Sequence, residues 1–305
     1  MIDITHKSTT LRVATAQAIV KVSQQETIDA INNKTVPKGD VFAMCKAVGL
    51  LGVKQTPLIL ADCHPMPIEY TGITYEINGL EITIKMTVKT IYKTGVEVEA
   101  MHGVSVVALN MYDMLKPIDK GVEIHHIKLI SKKGGKSDFT DRFRKDLTAA
   151  VVVCSDTISA GQKEDRAGKA IIKKLTECNV EIKDYVIIPD EVAEIQEKAN
   201  YYIAQGVNMV IYTGGTGLSS RDVTPEALKS IIDREIPGIE EAIRSYGQER
   251  TPYSMMSRSI AGVKDNTLVL ALPGSTNGAK ESMDAIFPAV LHVFQVLRGT
   301  DHKSQ

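Results

Sequence analysis

The run Thr213-Gly214-Gly215-Thr216-Gly217 is followed by the charged pair Arg221-Asp222 and then by Thr224-Pro225-Glu226, which reads as a helix start. Three glycines let a ligand approach backbone N–H groups closely, and a helix N-terminus adds favourable potential for an anion. The chemistry open to such a turn is phosphate binding. It carries neither the Gly-Lys-Ser/Thr ending nor the Gly-x-Gly-x-x-Gly spacing of the common nucleotide loops. Further polar groups fall where strands are expected to end: Ser155-Asp156, Pro189-Asp190-Glu191 and Pro273-Gly274-Ser275. Asp190 or Asp222 beside a phosphate cradle is suited to Mg²⁺, a hard cation that takes one or two carboxylates plus substrate phosphate oxygens. Any one of these aspartates alone reads as a helix cap; four loops opening on one crevice do not.

The first half carries its ionisable groups in short clusters. Lys38, Lys54, Lys132 and Arg12 supply cations for a polyanionic substrate. Glu97 and Glu99 are two apart, so in an extended strand they share a face; Asp113 and Lys116 are three apart, so on a helix they do. An exposed pair at that spacing contributes only about 0.2 to 0.5 kcal/mol. Its neighbours Met111, Tyr112, Met114 and Leu115 are apolar, which places the pair against a core or an interface where the two titrations couple. Cys63-His64 has no second Cys or spaced His to complete a zinc set, so His64 reads as a substrate-binding or acid/base group.

The chain that must position these groups has 305 residues, enough for two domains each with its own core. A net charge of -1 argues against nonspecific nucleic-acid binding or a membrane-surface role. Four cysteines without a CxxC pair favour a reducing compartment, and with no signal-peptide pattern or run of about 20 apolar residues the expected location is the cytoplasm. Apolar periodicity lapses around 137–146, giving domains at 1–138 and 148–305 with a linker at 139–147. Downstream, strands at 151–154, 185–188, 208–212 and 267–272 alternate with helices at 165–178, 191–205, 225–234 and 277–297. That rhythm predicts an α/β unit with a doubly wound, mostly parallel sheet. Upstream, helices near 10–32 and 40–53 precede two alternating runs broken at Asn78-Gly79, a hairpin signal. An α+β unit with an antiparallel sheet and helices on one face is expected there.

Over residues 1–138 the chain resembles the cyclic pyranopterin monophosphate synthase (MoaC) family, on Lys38-Gly39-Asp40-Val41-Phe42-Ala43, Cys63-His64-Pro65, Lys93 to Ala100, Met111 to Lys116 and Lys132 to Ser137. The resemblance implies conversion of 3′,8-cyclo-GTP to cyclic pyranopterin monophosphate with loss of pyrophosphate. It sets Lys54, His64, Asp113, Lys116 and Lys132 at family active-site positions, with Lys38, Arg12, Cys63, Glu97 and Glu99 on the substrate. Gln55 to Asp62 departs from the family pattern, in the pocket wall. Residues 148–298 are similar to the molybdopterin adenylyltransferases of the MogA and MoaB type, on Ser155-Asp156, Ile188 to Glu191, Thr213 to Gly217 with Arg221 to Pro225, Pro237-Gly238, Ser257 to Gly262 and Leu272 to Ser275. That likeness implies activation of molybdopterin by Mg-ATP, with the glycine loop on the pterin's phosphate, Asp190 and Asp222 as the essential acidic and metal-holding pair, and Glu241 and Arg250 as lesser candidates. Thr276 stands where the family has proline. Together the two likenesses imply pterin and nucleotide partners and a homo-oligomer, hexameric or trimeric. The alternative is that the second domain is a noncatalytic pterin-binding or assembly module.

Overall fold

The computed structural model describes residues 1–135, 138 and 146–299. The chain separates into two compact units, Met1–Asp138 and Phe139–Gln305. Most of the expected linker, residues 139–145, lies outside the described residues, as do Lys136 and Ser137 of the lysine-glycine motif.

In the first unit β1 (Thr10–Lys21), α1 (Gln25–Asn32), α2 (Val41–Ile59), β2 (Tyr70–Asn78), β3 (Glu81–Tyr92), α3 (Glu97–Leu115) and β4 (Glu123–Lys133) follow in order. The strands form an antiparallel sheet ordered β2-β3-β1-β4, and the unit is α+β as expected. Residues 10–21 form a strand, not the start of a helix. Ala14, Ala16, Ala18 and Val20 are buried at a period of two, while Thr15 meets Thr87 across the other face at 2.9 Å. Alternation outweighs the helix propensity of alanine, because each small side chain meets the helices packed on the sheet. Those partners are Cys45 and Val53 of α2 and Val104, Val107, Ala108 and Met111 of α3. The hairpin forms with Asn78 paired to Glu81, which makes Gly79-Leu80 the loop; Gly79 takes φ 57, natural for glycine at a first loop position.

The second unit runs β5 (Thr148–Cys154), α4 (Asp156–Ser159), α5 (Ala167–Glu177), β6 (Glu181–Ile188), α6 (Val192–Ala204), β7 (Met209–Thr213), α7 (Thr224–Lys229), β8 (Arg234–Glu235), α8 (Pro237–Gln248), β9 (Ile260–Lys264), β10 (Thr267–Leu272), α9 (Thr276–Ile286) and α10 (Val293–Val296). The sheet order is β6-β5-β7-β10-β9-β8, parallel from β6 through β10 and antiparallel at β9 and β8. Ala149 and Val151 of β5 enter one core, Ala150, Val152 and Cys154 another, so both faces are covered. Pairing of β5 to β6 on one side and β7 on the other makes their carboxyl ends the switch point where such sheets bind ligands. The helix expected over 277–297 stops at Ile286. Phe287 is extended before Pro288, which cannot continue the hydrogen-bond ladder, and a 3₁₀ turn at Ala289–His292 intervenes before α10. Among the described residues no helix is long and apolar enough to cross a membrane.

Candidate active sites

The phosphate-loop candidate sits at the carboxyl ends of β5, β6, β7 and β10. Gly214 has φ 102, and a Cβ there would lie 2.1 Å from the Cys154 carbonyl; Gly215 has φ 61, and its Cβ would lie 2.8 Å from Asp190 Oδ1. Both positions therefore require glycine. A Cβ on Gly217 would stand 2.9 Å from Asp222 Oδ2, so the two carboxylates flank the loop at its start and end. Asp222 Oδ2 accepts from the Ser219 amide at 2.8 Å. Asp190 and Asp156 exchange bonds: the Asp156 amide donates to Asp190 Oδ2 at 3.2 Å, the Asp190 amide to Asp156 Oδ1 at 3.1 Å. Asp190 Oδ1 is buried with no hydrogen-bond partner among the described residues. Burial, reinforced by the charges of Asp156 and Asp222, raises the pKa of Asp190 against the lowering effect of the Asp156 amide and Arg221. A buried, unsatisfied carboxylate oxygen is costly on its own, and a cation at the loop would relieve that cost.

Not every expected ligand group is free. Ser155 and Ser275 cap α4 and α9, accepting from Ile158 at 3.4 Å and Gly278 at 3.1 Å, and the buried Thr213 hydroxyl donates to the Pro273 carbonyl at 2.8 Å. These bonds fix the loops; the Thr213 hydroxyl hydrogen is committed to Pro273, whereas Ser155 and Ser275 only accept in their cap bonds and each keeps a hydroxyl hydrogen to donate. Beside Thr216 and Gly217, a cavity of about 610 Å³ reaches Gly274, Ser275, Ser254 and Arg250. Pro273 and Gly274 lie at its edge, where Gly274 has its virtual Cβ only 2.9 Å from Gly214 Cα.

Two arginines without a role in the sequence reading brace this site. Arg221 donates to both oxygens of Asp156, at 3.0 and 3.1 Å, and to Glu191 at 2.9 Å. Arg258 donates to the Gly217 carbonyl at 2.8 Å and the Asp222 carbonyl at 2.6 Å and pairs with Glu226. Their proximity to the loop in sequence was visible for Arg221; for Arg258, forty-one residues beyond Gly217, only the fold shows it.

In the first unit the structure gathers the candidates into separate groups. Lys38, just ahead of the Asp40 cap of α2, meets Asp113 at 2.6 Å, and Lys116 meets it at 2.7 Å. Hydrogen bonds from these lysines, Lys116 first, hold the Asp113 carboxyl down at about 2. In return Asp113 raises the pKa of Lys116. The pair stands on the surface of the chain, not against its core: Met111, Met114 and Leu115 turn inward, while Asp113 is 47% exposed.

A second group lines a cavity of about 330 Å³ with Lys7, Arg12, Lys93, Glu97, Lys132 and Lys133. Lys132 lies 3.2 Å from Glu97, and Arg12 donates to the carbonyls of Tyr92 at 3.3 Å and Lys93 at 3.4 Å. Burial lowers the Arg12 pKa, partly offset by Glu97 and Asp138. Glu97 and Glu99 do not share a strand face. They open α3, where two residues point roughly 200° apart: Glu97 faces Lys132, and Glu99 is 2% exposed. His64 Nε2 bonds the Ile2 carbonyl at 2.9 Å, and the thiol of its neighbour Cys63 is raised by burial and by the charges of Glu99 and Asp62. Lys54 is exposed on α2. Among the described residues no ion pair joins the Lys38–Asp113–Lys116 group to the Arg12–Glu97–Lys132 group.

Fold and candidate sites together define a fusion of a lysine-rich antiparallel unit with a doubly wound unit that carries a glycine loop. Residues 1–135 match the MoaC family, and residues 150–292 match the probable molybdopterin binding domain. The molybdenum cofactor biosynthesis bifunctional protein of Chlorobaculum tepidum is 38% identical over 302 residues, covering 99% of this chain and 96% of that one. The protein of the same name from Synechococcus elongatus is 36% identical over 315 residues, covering 99% and 98%. A crystal structure of the molybdopterin biosynthesis enzyme MoaB from Thermus thermophilus is 36% identical, covers 50% of this chain and 97% of its own, and superposes with a TM-score of 0.48. The chain belongs to the family of molybdenum cofactor biosynthesis bifunctional proteins.

Proposed function

We propose that the first unit converts 3′,8-cyclo-GTP to cyclic pyranopterin monophosphate with release of pyrophosphate, and that the second adenylylates molybdopterin with Mg-ATP. The observation that carries the second assignment is the glycine loop flanked by Asp190 and Asp222, with Asp190 Oδ1 buried and unpartnered behind it. These residues fit Mg²⁺. Asp190 and Asp222 would hold it, and it would supply charge neutralisation at the polyphosphate. The loop amides of Gly215 to Gly217 bind the pterin phosphate, that of Gly214 being bonded to the Leu272 carbonyl at 3.1 Å, and the adjoining cavity of about 610 Å³ takes the pterin body. Nucleotidyl transfer is mostly positioning and electrostatic stabilisation, which a rigid loop pinned by Arg258 and Thr213 provides.

In the first unit Lys38, Lys54, Lys132 and Arg12 take the triphosphate. Lys116, kept charged by Asp113, serves as the proton donor. A phosphate that draws Lys38 away from Asp113 leaves that carboxylate more basic and able to accept a proton. His64, Cys63, Glu97 and Glu99 shape the remaining wall. Among the described residues no ion pair joins the two lysine-carboxylate groups, and apolar Met44, Leu51 and Leu58 stand exposed along α2 with Leu109 and Tyr112 on α3. Copies of the chain that cover this surface complete the site, and a hexamer built on a threefold arrangement accommodates both units.

The second reading, a noncatalytic pterin-binding module, is separated by one substitution. Asp222→Asn is expected to lower formation of adenylyl-molybdopterin from ATP by about a hundredfold or more while pterin binding persists. An unchanged rate would leave the binding module standing.

A further inference from the structure

Three loops at the switch point bring together the carboxylates of Asp156, Asp190, Glu191 and Asp222, and Arg221 is bonded into the midst of them. Its partners differ in kind from those of Arg258. Arg258, besides its pair with Glu226, is tied to two backbone carbonyls, Gly217 and Asp222, which no ligand displaces without breaking the loop. Among the described residues the Arg221 side chain is tied only to carboxylates, those of Asp156 and Glu191, and all three side chains are about half exposed at 54%, 44% and 54%. Ion pairs exposed to that degree are weak and exchange readily. The planar guanidinium fork also matches a phosphate as well as it matches a carboxylate. Adjacent in the chain to Asp222, it cannot be moved without being felt at the glycine loop.

We propose that Arg221 is an internal counter-ion, holding the acidic loops together while no divalent cation is bound and passing from Asp156 and Glu191 to the nucleotide phosphates when metal and nucleotide enter. The role rests on the Mg-nucleotide reading of this site. Removing the charge frees the carboxylates for a metal and deprives the nucleotide of a partner, so the two affinities move in opposite directions. A residue that merely held the loops in shape would weaken both.

The test uses the full chain and titrates Mn²⁺ alone, then ATP in the presence of Mn²⁺, by calorimetry. Arg221→Gln is expected to bind Mn²⁺ about three- to tenfold more tightly than the parent chain and ATP about tenfold less tightly. Arg221→Lys, which keeps the charge and loses the fork, is expected to retain the parent Mn²⁺ affinity and lose part of the ATP affinity. Asp190→Asn defines the site by abolishing Mn²⁺ binding in either background. Mn²⁺ binding that needs Asp190 and is not tightened by Arg221→Gln overturns the counter-ion role and leaves the metal reading in place. Mn²⁺ binding to none of the forms overturns both.

Discussion

Two carboxylates of α3 show how position on one helix sets chemistry. Glu99 lies in the first turn under the sheet, and burial, with Glu97 nearby, raises its pKa. Asp113 lies in the last turn in water, and two lysines bring it down to about 2. The raised value of Glu99 means that the fold favours the protonated form. Stability from that preference is complete below the unfolded value, about 4.3, and is lost as pH rises through the folded one. Glu99→Gln keeps the shape and removes the charge. Its thermal midpoint is therefore expected to lie a few degrees above the parent near pH 7 and to show a flatter pH dependence above about 4.3, while synthase turnover falls. A midpoint below the parent at pH 7, measured by calorimetry, contradicts burial as the dominant influence. Asp113 runs the other way: its ion pairs are complete above the unfolded value near 3.9 and fail only as pH falls toward about 2.

At the scale of elements, α2 and α3 approach through glycines. A Cβ on Gly103 would stand 2.3 Å from Met86 Sδ and 2.5 Å from Val53 Cγ2, whereas one on Gly52 would stand 3.3 Å from Val106. Alanine in a helix gains roughly 0.8–1.0 kcal/mol over glycine. At Gly103 that gain loses to the clash, since the buried Val53 is β-branched and stiff even though Met86 can shift. Gly103→Ala is expected to destabilise by about 1–3 kcal/mol and Gly52→Ala to fall within about 1 kcal/mol of the parent in urea unfolding. The reverse order would show that the helices part more easily than their contacts indicate. The glycine loop has no such slack, because its positive φ angles and the neighbouring Cys154 carbonyl both exclude a side chain. Alternation in β1 and the hairpin pattern at Gly79 were readable in the residues, but the strand assignment for β1 needed the helices that bury its alanines. Strand β9 carries a weaker local pattern and is defined by its pairing with β10, whereas α8, opened by Pro237 and burying Ile243, Tyr246 and Gly247 along one face, carries a helical pattern in its own residues.

For the whole molecule, the exposed stripe of Met44, Leu51 and Leu58 predicts association of copies through the first unit. Sedimentation of the full chain is expected to give a hexamer, and Leu51→Glu to shift it to smaller species with loss of synthase activity. A monomer retaining that activity would remove the need for shared sites. The residue order alone determined the two kinds of unit, because strand periods, glycine turns and chemically distinctive motifs are local properties of the chain. It also determined which ionisable groups were available, from Lys38 and Asp113 to Asp190 and Asp222. Tertiary structure decided which of them meet. Glu97 and Glu99 part because they begin a helix, Ser155 and Ser275 turn to capping, and Arg221 and Arg258 take their partners from loops 30 to 65 residues away. Contact across such separations depends on how strands are ordered in a sheet, and no local pattern carries that order.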